Sequence, residues 1–223
     1  MLRQAALAIV TACFVWLSQT PGSLFAAQAS AGAQVNAGDI LVASEKLGDP
    51  NFAQSVVLIL EHDDDKGTLG VIINRRSEIP LSRIFPDIKG ASADPVFVGG
   101  PVSITVVQAL LRLPNEMDET THVLADVYAS GSRQVIEKSV RAHVPSSKFR
   151  LYVGYAGWAP GQLEAEIQIG AWMVLSNRSK LIFDDNPDSL WSRLTRESHM
   201  QVAASRFSIG PLRSSLYGLG ASR

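Results

Sequence analysis

Cysteine is nearly absent from this chain of 223 residues: Cys13 stands alone, inside an apolar stretch near the amino terminus. The rest of the molecule therefore has no thiol chemistry and no disulfide. Histidine is scarce too. His62, His122, His143 and His199 are far apart, with no H-x-x-x-H spacing, so no metal site is expected. A formal net charge of -1, from 20 Lys+Arg against 21 Asp+Glu, provides no basic surplus for a phosphate backbone. The cluster Arg75, Arg76 and Arg83 has no interleaved aromatics and reads as a solvated loop after a hairpin.

Chemical motifs are equally sparse. No Walker A string, no G-x-G-x-x-G after a strand and no G-x-S-x-G elbow occurs; Ala129-Ser130-Gly131-Ser132 lacks the flanking glycines. The run Asp63-Asp64-Asp65 falls short of a calcium loop, because Gly67 stands where the third ligand belongs and the closing glutamate is missing. No cofactor is expected, and no catalytic residue is nominated.

What is present is apolar sequence in quantity. With 46% hydrophobic and 18% charged residues the chain can bury a sizeable core, and no linker or internal repeat divides it. One segment differs in composition. Arg3 is the only charge before Asp39, Ala5 to Leu17 is almost wholly apolar, and Ala27-Gln28-Ala29 supplies the small residues of a cleavage site. Residues 1–29 are read as a signal peptide and 30–37 as a short linker, with Ala31-Gly32-Ala33 as a second cleavage candidate. The apolar run is shorter than the roughly 20 residues of a bilayer span, so no membrane span is expected after cleavage. Val10-Thr11-Ala12-Cys13 has the outline of a lipidation site, but apolar residues continue through Leu17 and favour an ordinary leader cysteine.

From residue 38 the pattern is mixed. Asp39 to Ala43, Ser55 to Glu61, Thr68 to Asn74, Pro95 to Val98, Val106 to Leu111, His122 to Tyr128, Leu151 to Tyr155 and Ala171 to Leu175 read as strands, the second and third forming a hairpin. Pro80 to Phe85, Ser132 to Val140, Gln162 to Ile169 and Pro187 to Leu194 read as helices, with Ser132 as an N-cap. The resulting fold class is mixed α/β (α+β), a single domain over 38–204 with a mixed, partly barrel-like sheet and flanking helices. The Ser/Gly/Arg-rich residues 205–223 read as a flexible tail.

Three segments beside strand ends stand out: Asp49-Pro50-Asn51-Phe52, Gly99-Gly100-Pro101-Val102, and Gly154 through Glu164. One reading brings them together around a ligand pocket, with Tyr155, Gly157 and Trp158 as an aromatic wall, Gly99 and Gly100 as close backbone, and Asn74 or Glu164 as polar anchors. The other makes the glycines turn and packing residues, Trp158 a core residue and Glu164 a helix cap.

These segments, together with Gly70-Val71-Ile72-Ile73-Asn74-Arg75 and Val96-Phe97-Val98 before Gly99, resemble the YqgE/AlgH family in order and spacing across about residues 38 to 195. Arg76 replaces the proline expected after Asn74-Arg75. The resemblance implies a compact α/β domain and no established catalytic residues; the family's AlgH name marks a proposed role in regulating transcription. Typical members look cytoplasmic and begin near Gly38. Either the leader is genuine and the protein is exported to the periplasm or beyond, or the start codon is assigned too far upstream and the protein is cytoplasmic. Partners follow the same division: a small-molecule or protein ligand for a non-enzymatic binding or regulatory module, which is the favoured reading, or a substrate or ligand for an exported protein using the glycine-rich pocket. DNA contact through Arg75, Arg76 and Arg83 is a third reading.

Overall fold

The computed structural model describes residues 35–89 and 91–207, the side chains of 202–207 excepted. The leader read at 1–29, most of the 30–37 linker, and the tail beyond 207 lie outside the described residues.

The strands are β1 (Ile40–Ala43), β2 (Val56–Asp63), β3 (Gly67–Ile72), β4 (Arg76–Pro80), β5 (Pro95–Val98), β6 (Val102–Arg112), β7 (Thr121–Leu124), β8 (Val127–Ser130), β9 (Phe149–Trp158) and β10 (Trp172–Leu175). The helices are α1 (Leu81–Ile84), α2 (Arg133–Arg141), α3 (Gln162–Gln168) and α4 (Leu190–Phe207). Ser132 caps α2 by accepting from the Val135 amide. The β2–β3 hairpin forms where the two apolar runs predict it. At its tip Asp63 accepts from the Asp65 and Lys66 amides and pairs with the Lys66 ammonium, which holds its carboxyl below the usual range.

Four elements depart from the sequence reading, each for a local reason. The segment read as one strand from His122 to Tyr128 is β7 and β8, folded back at Ala125, which takes a left-handed φ of 52° that alanine does not advertise. β9 does not stop at Tyr155 but runs through the glycine-rich stretch to Trp158, because the antiparallel partners β6 and β3 continue along it. β4 carries too little apolar sequence to be read as a strand, yet pairs with β5. Finally, a short 3-10 turn, Pro187–Ser189, precedes α4, which runs on through Phe207, past the Ser205 boundary.

The sheet order is β10-β1-β2-β3-β9-β6-β8-β7, with the β4–β5 pair attached through β5 to β9. β5 and β9 run parallel and the other pairs antiparallel, so the sheet is mixed. Its two limbs meet at β9 and curl around a shared core without closing. Ile40, Val56, Leu58 and Val71 from one limb pack with Leu110, Val127 and Tyr152 from the other, beneath Leu190 and Leu194 of α4. The outer face of the first limb buries Leu41, Val57 and Ile72 against Trp158, Leu163 and Trp172. That of the second buries Val96, Ala109 and Leu151 against Val135, Ile136 and Val140 of α2. Both faces of the central strands are covered, which is why they read as continuous apolar runs rather than as alternation.

β9 changes neighbours at a glycine crossing. Its Val153 carbonyl accepts from Gly99 N at 2.8 Å, and the Gly99 carbonyl accepts from Ile72 N at 2.7 Å, which hands β9 from β5 to β3. Gly154 takes a φ of +71°, and a Cβ there would lie 2.5 Å from the Gly100 carbonyl oxygen, so only glycine fits.

Candidate functional site

The tip end of the β2–β3 hairpin, the end of β9 and the start of β6 surround an open cleft of about 760 Å3. Three of the residues nominated from sequence meet there: Tyr155, Gly157 and Trp158. The period of two along a strand puts Tyr155 and Gly157 on one side of β9. Gly157, having no side chain, leaves room for the Tyr155 ring above it: a Cβ would come within 3.2 Å of that ring. Trp158 points the other way. It is 5% exposed, stacks on Phe52 with centroids 5.7 Å apart, and donates through Nε1 to Glu166 at 3.0 Å. It closes the cleft floor while belonging to the core.

Opposite stand two imidazoles that the sequence offered only as failed metal ligands. His62 lies near the end of β2, where a bulge between Ile59 and Glu61 re-aims the strand. Its Nδ1 is 2.8 Å from the Thr68 hydroxyl, and its Nε2 lies 3.4 Å from Asp64 and 3.9 Å from Glu164. Thr68 is itself largely buried at the edge of the cleft, and its hydroxyl is engaged by His62. His122 is exposed, packs edge-on to Tyr128, and has its Nε2 2.9 Å from the Ala125 carbonyl oxygen. Glu164 lies behind His62 in the first turn of α3 and makes no capping bond; the N-cap is Gly161. The carboxylate that organises the aromatic residues is Glu166, which accepts from both Trp158 and Trp172.

The remaining nominated residues do not join this cleft. Gly99 and Gly100 are buried in the β9 crossing. Asn74 lies beyond the opposite end of β3, where its Oδ1 accepts from the Val56 amide at 2.8 Å and its Nδ2 donates to the Gln54 carbonyl at 3.0 Å. It borders a second cleft of about 450 Å3 with Arg75, Arg76, Asp188 and Trp191. There Arg76 binds Asp188 with Nε 3.1 Å from both carboxylate oxygens and a further close contact through its terminal nitrogen, which lowers the Asp188 carboxyl. Arg75 is pushed below the ordinary arginine range by burial. Among the described residues no group of three or more His, Cys, Asp or Glu is arranged to hold a metal ion, and no helix is long and apolar enough to cross a membrane.

The AlgH-like family model matches residues 40–203, the whole of this sheet with α1 to α3 and most of α4. The chain belongs to the AlgH-like family. Among its relatives, the UPF0301 protein of Chlorobaculum tepidum is 32% identical over 160 residues, covering 71% of this chain and 84% of that one. The UPF0301 protein of Anaeromyxobacter dehalogenans is 37% identical over 175 residues, covering 73% and 88%. The solution structure of the AlgH protein from Pseudomonas aeruginosa superposes with a TM-score of 0.56 at 28% identity, over 78% of this chain and 89% of that one. A crystal structure from Corynebacterium diphtheriae reaches a TM-score of 0.61 at 24% identity, over 74% and 87%, and shows the same fold.

Proposed function

We propose that this AlgH-like protein is a non-enzymatic binding module whose ligand seat is the hairpin-tip cleft. The observation that carries this reading is the meeting of Tyr155, Gly157 and the Trp158 floor with His62 and His122 around one open space. These are recognition groups: a phenol ring over bare backbone for stacking, and imidazoles for hydrogen bonds. The Thr68 hydroxyl beside His62 belongs to a residue only 6% exposed, and it is this burial that favours binding over nucleophilic attack on a ligand in the cleft. The fitting ligand is a small polar molecule with a flat apolar part. The leader composition supports a further element of the proposal, that the module works after export, where direct control of a promoter is out of reach.

Amide-proton spectra recorded during a fragment titration test the cleft. Bound fragments are expected to shift Tyr155, Gly157 and Thr68 together, and Tyr155→Ala and His122→Ala are each expected to weaken binding by about 1–2 kcal/mol. Fragments that map elsewhere would remove the proposed seat. Turnover in a hydrolase screen, abolished by His62→Ala, would replace a binding module with an enzyme.

A further inference from the structure

The second cleft, at the far end of β3, holds an imbalance of charge. Arg75 and Arg76 face it against one carboxylate among the described residues, Asp188, and Arg76 already holds that carboxylate through Nε and one terminal nitrogen. Arg75 has no acidic partner among the described residues. Its guanidinium donates to the carbonyls of Asn51 at 2.9 Å and Ala53 at 3.4 Å. A guanidinium carries five N–H donors, so these two bonds leave others for the cleft.

The loop that carries these acceptors is braced on either side of them. Asp49 turns the loop by accepting from the Asn51 amide at 2.8 Å, and Asn74 ties the Gln54 carbonyl to the Val56 amide. Arg75 is therefore held in place before any ligand arrives, which lowers the ordering cost of binding. The facing wall is Trp191, whose indole is anchored through Nε1 to the Ala43 carbonyl at 2.7 Å and offers a flat apolar surface beside the charge. A half-buried cation with only neutral acceptors is best matched by an oxyanion, since carboxylate and phosphate oxygens fit the guanidinium fork two at a time.

We propose that this cleft is an anion-binding site, separate from the hairpin-tip cleft, that takes a small organic oxyanion, a carboxylate or a phosphate monoester, with Arg75 as its main contact and the Trp191 ring against the organic part. Asp188 is the built-in competitor. It occupies Arg76 and is the one carboxylate among the described residues lining the cleft, so its removal should improve anion binding.

Titrations of the purified protein with benzoate and with phenyl phosphate, followed through the Trp191 indole and the Gln54 amide, test the site, with chloride at matched ionic strength as control. Saturable shifts of both signals are expected, and the probe that saturates at lower concentration identifies the source as carboxylate or phosphate. Arg75→Gln is expected to weaken binding by about tenfold, the order of one charge-assisted pair. Asp188→Asn, which breaks only an exposed ion pair and should leave the fold intact, is expected to tighten it. Arg83→Gln, outside the cleft, should change nothing. The proposal fails if neither probe saturates, if chloride produces the same shifts, or if Asp188→Asn does not tighten binding. The last criterion holds even where Arg75→Gln does not fold. Duplex DNA that displaces the small anions with a steep salt dependence would also overturn it, because that slope counts several phosphates rather than one.

Discussion

Arg150, the second residue of β9, is 6% exposed, and its guanidinium is spent on backbone. It donates to the carbonyls of Ser146, Ile182 and Asp184, and lies 5.0 Å from the Phe97 ring centre and 5.6 Å from that of Phe183. It thereby ties the segment before α4 to the sheet. Arg150→Met should cost about 3 kcal/mol, seen as a lower urea midpoint, since three carbonyls lose a charged donor. Arg150→Lys should recover little of this, because an ammonium does not reproduce the planar fork or its stacking. None of this is legible in sequence, where the strand is read from Leu151 and Arg150 falls just outside it. The same holds for Arg75. The sequence places it in a small basic cluster, and only the fold shows that Arg76 has a carboxylate while Arg75 does not.

α3 is a short element that buries Leu163 in the outer core and organises the neighbouring indoles through one side chain. Glu166 accepts from Trp158 at 3.0 Å and Trp172 at 2.7 Å, and through its other oxygen from Gln162 at 2.9 Å. Phe52, from the loop before β2, stacks on Trp158 and meets Trp172 edge-on. Glu166→Ala should therefore destabilise the protein by about 2–3 kcal/mol, as two indole donors lose a charged acceptor, and should change the tryptophan fluorescence of the folded state. Glu166→Gln, which keeps one acceptor oxygen, should cost less. An unchanged melting curve for Glu166→Ala would mean the indoles are held by packing alone. The motif residues around Phe52 and Trp158 were legible as special. The choice between Glu164 and Glu166 was not, because residues two apart on a helix point in nearly opposite directions and only the docking of α3 decides which faces the indoles.

For the molecule as a whole, composition separates a leader from a domain, and we propose that the leader is removed after Ala29. Intact mass of the protein from its host is expected to correspond to a chain starting near Ser30, recovered outside the cytoplasm. A mass starting near Gly38 in the cytoplasm would return transcriptional control to consideration. Local pattern alone determined the mixed class, the β2–β3 hairpin, the Ser132 cap and the family, because buried β-branched runs, cap residues and glycine crossings leave signals within a few residues of themselves. Tertiary structure alone decided the order of strands around β9, and with it the sites. Tyr155 and Trp158 meet His62 and His122 only because β9 leaves β5 for β3 at Gly154, and Asn74 is carried to the other end because a strand separates what its sequence neighbours suggest is close. Strand pairing joins residues far apart in the chain through hydrogen bonds that any side chain allows, so it leaves no mark in the local pattern.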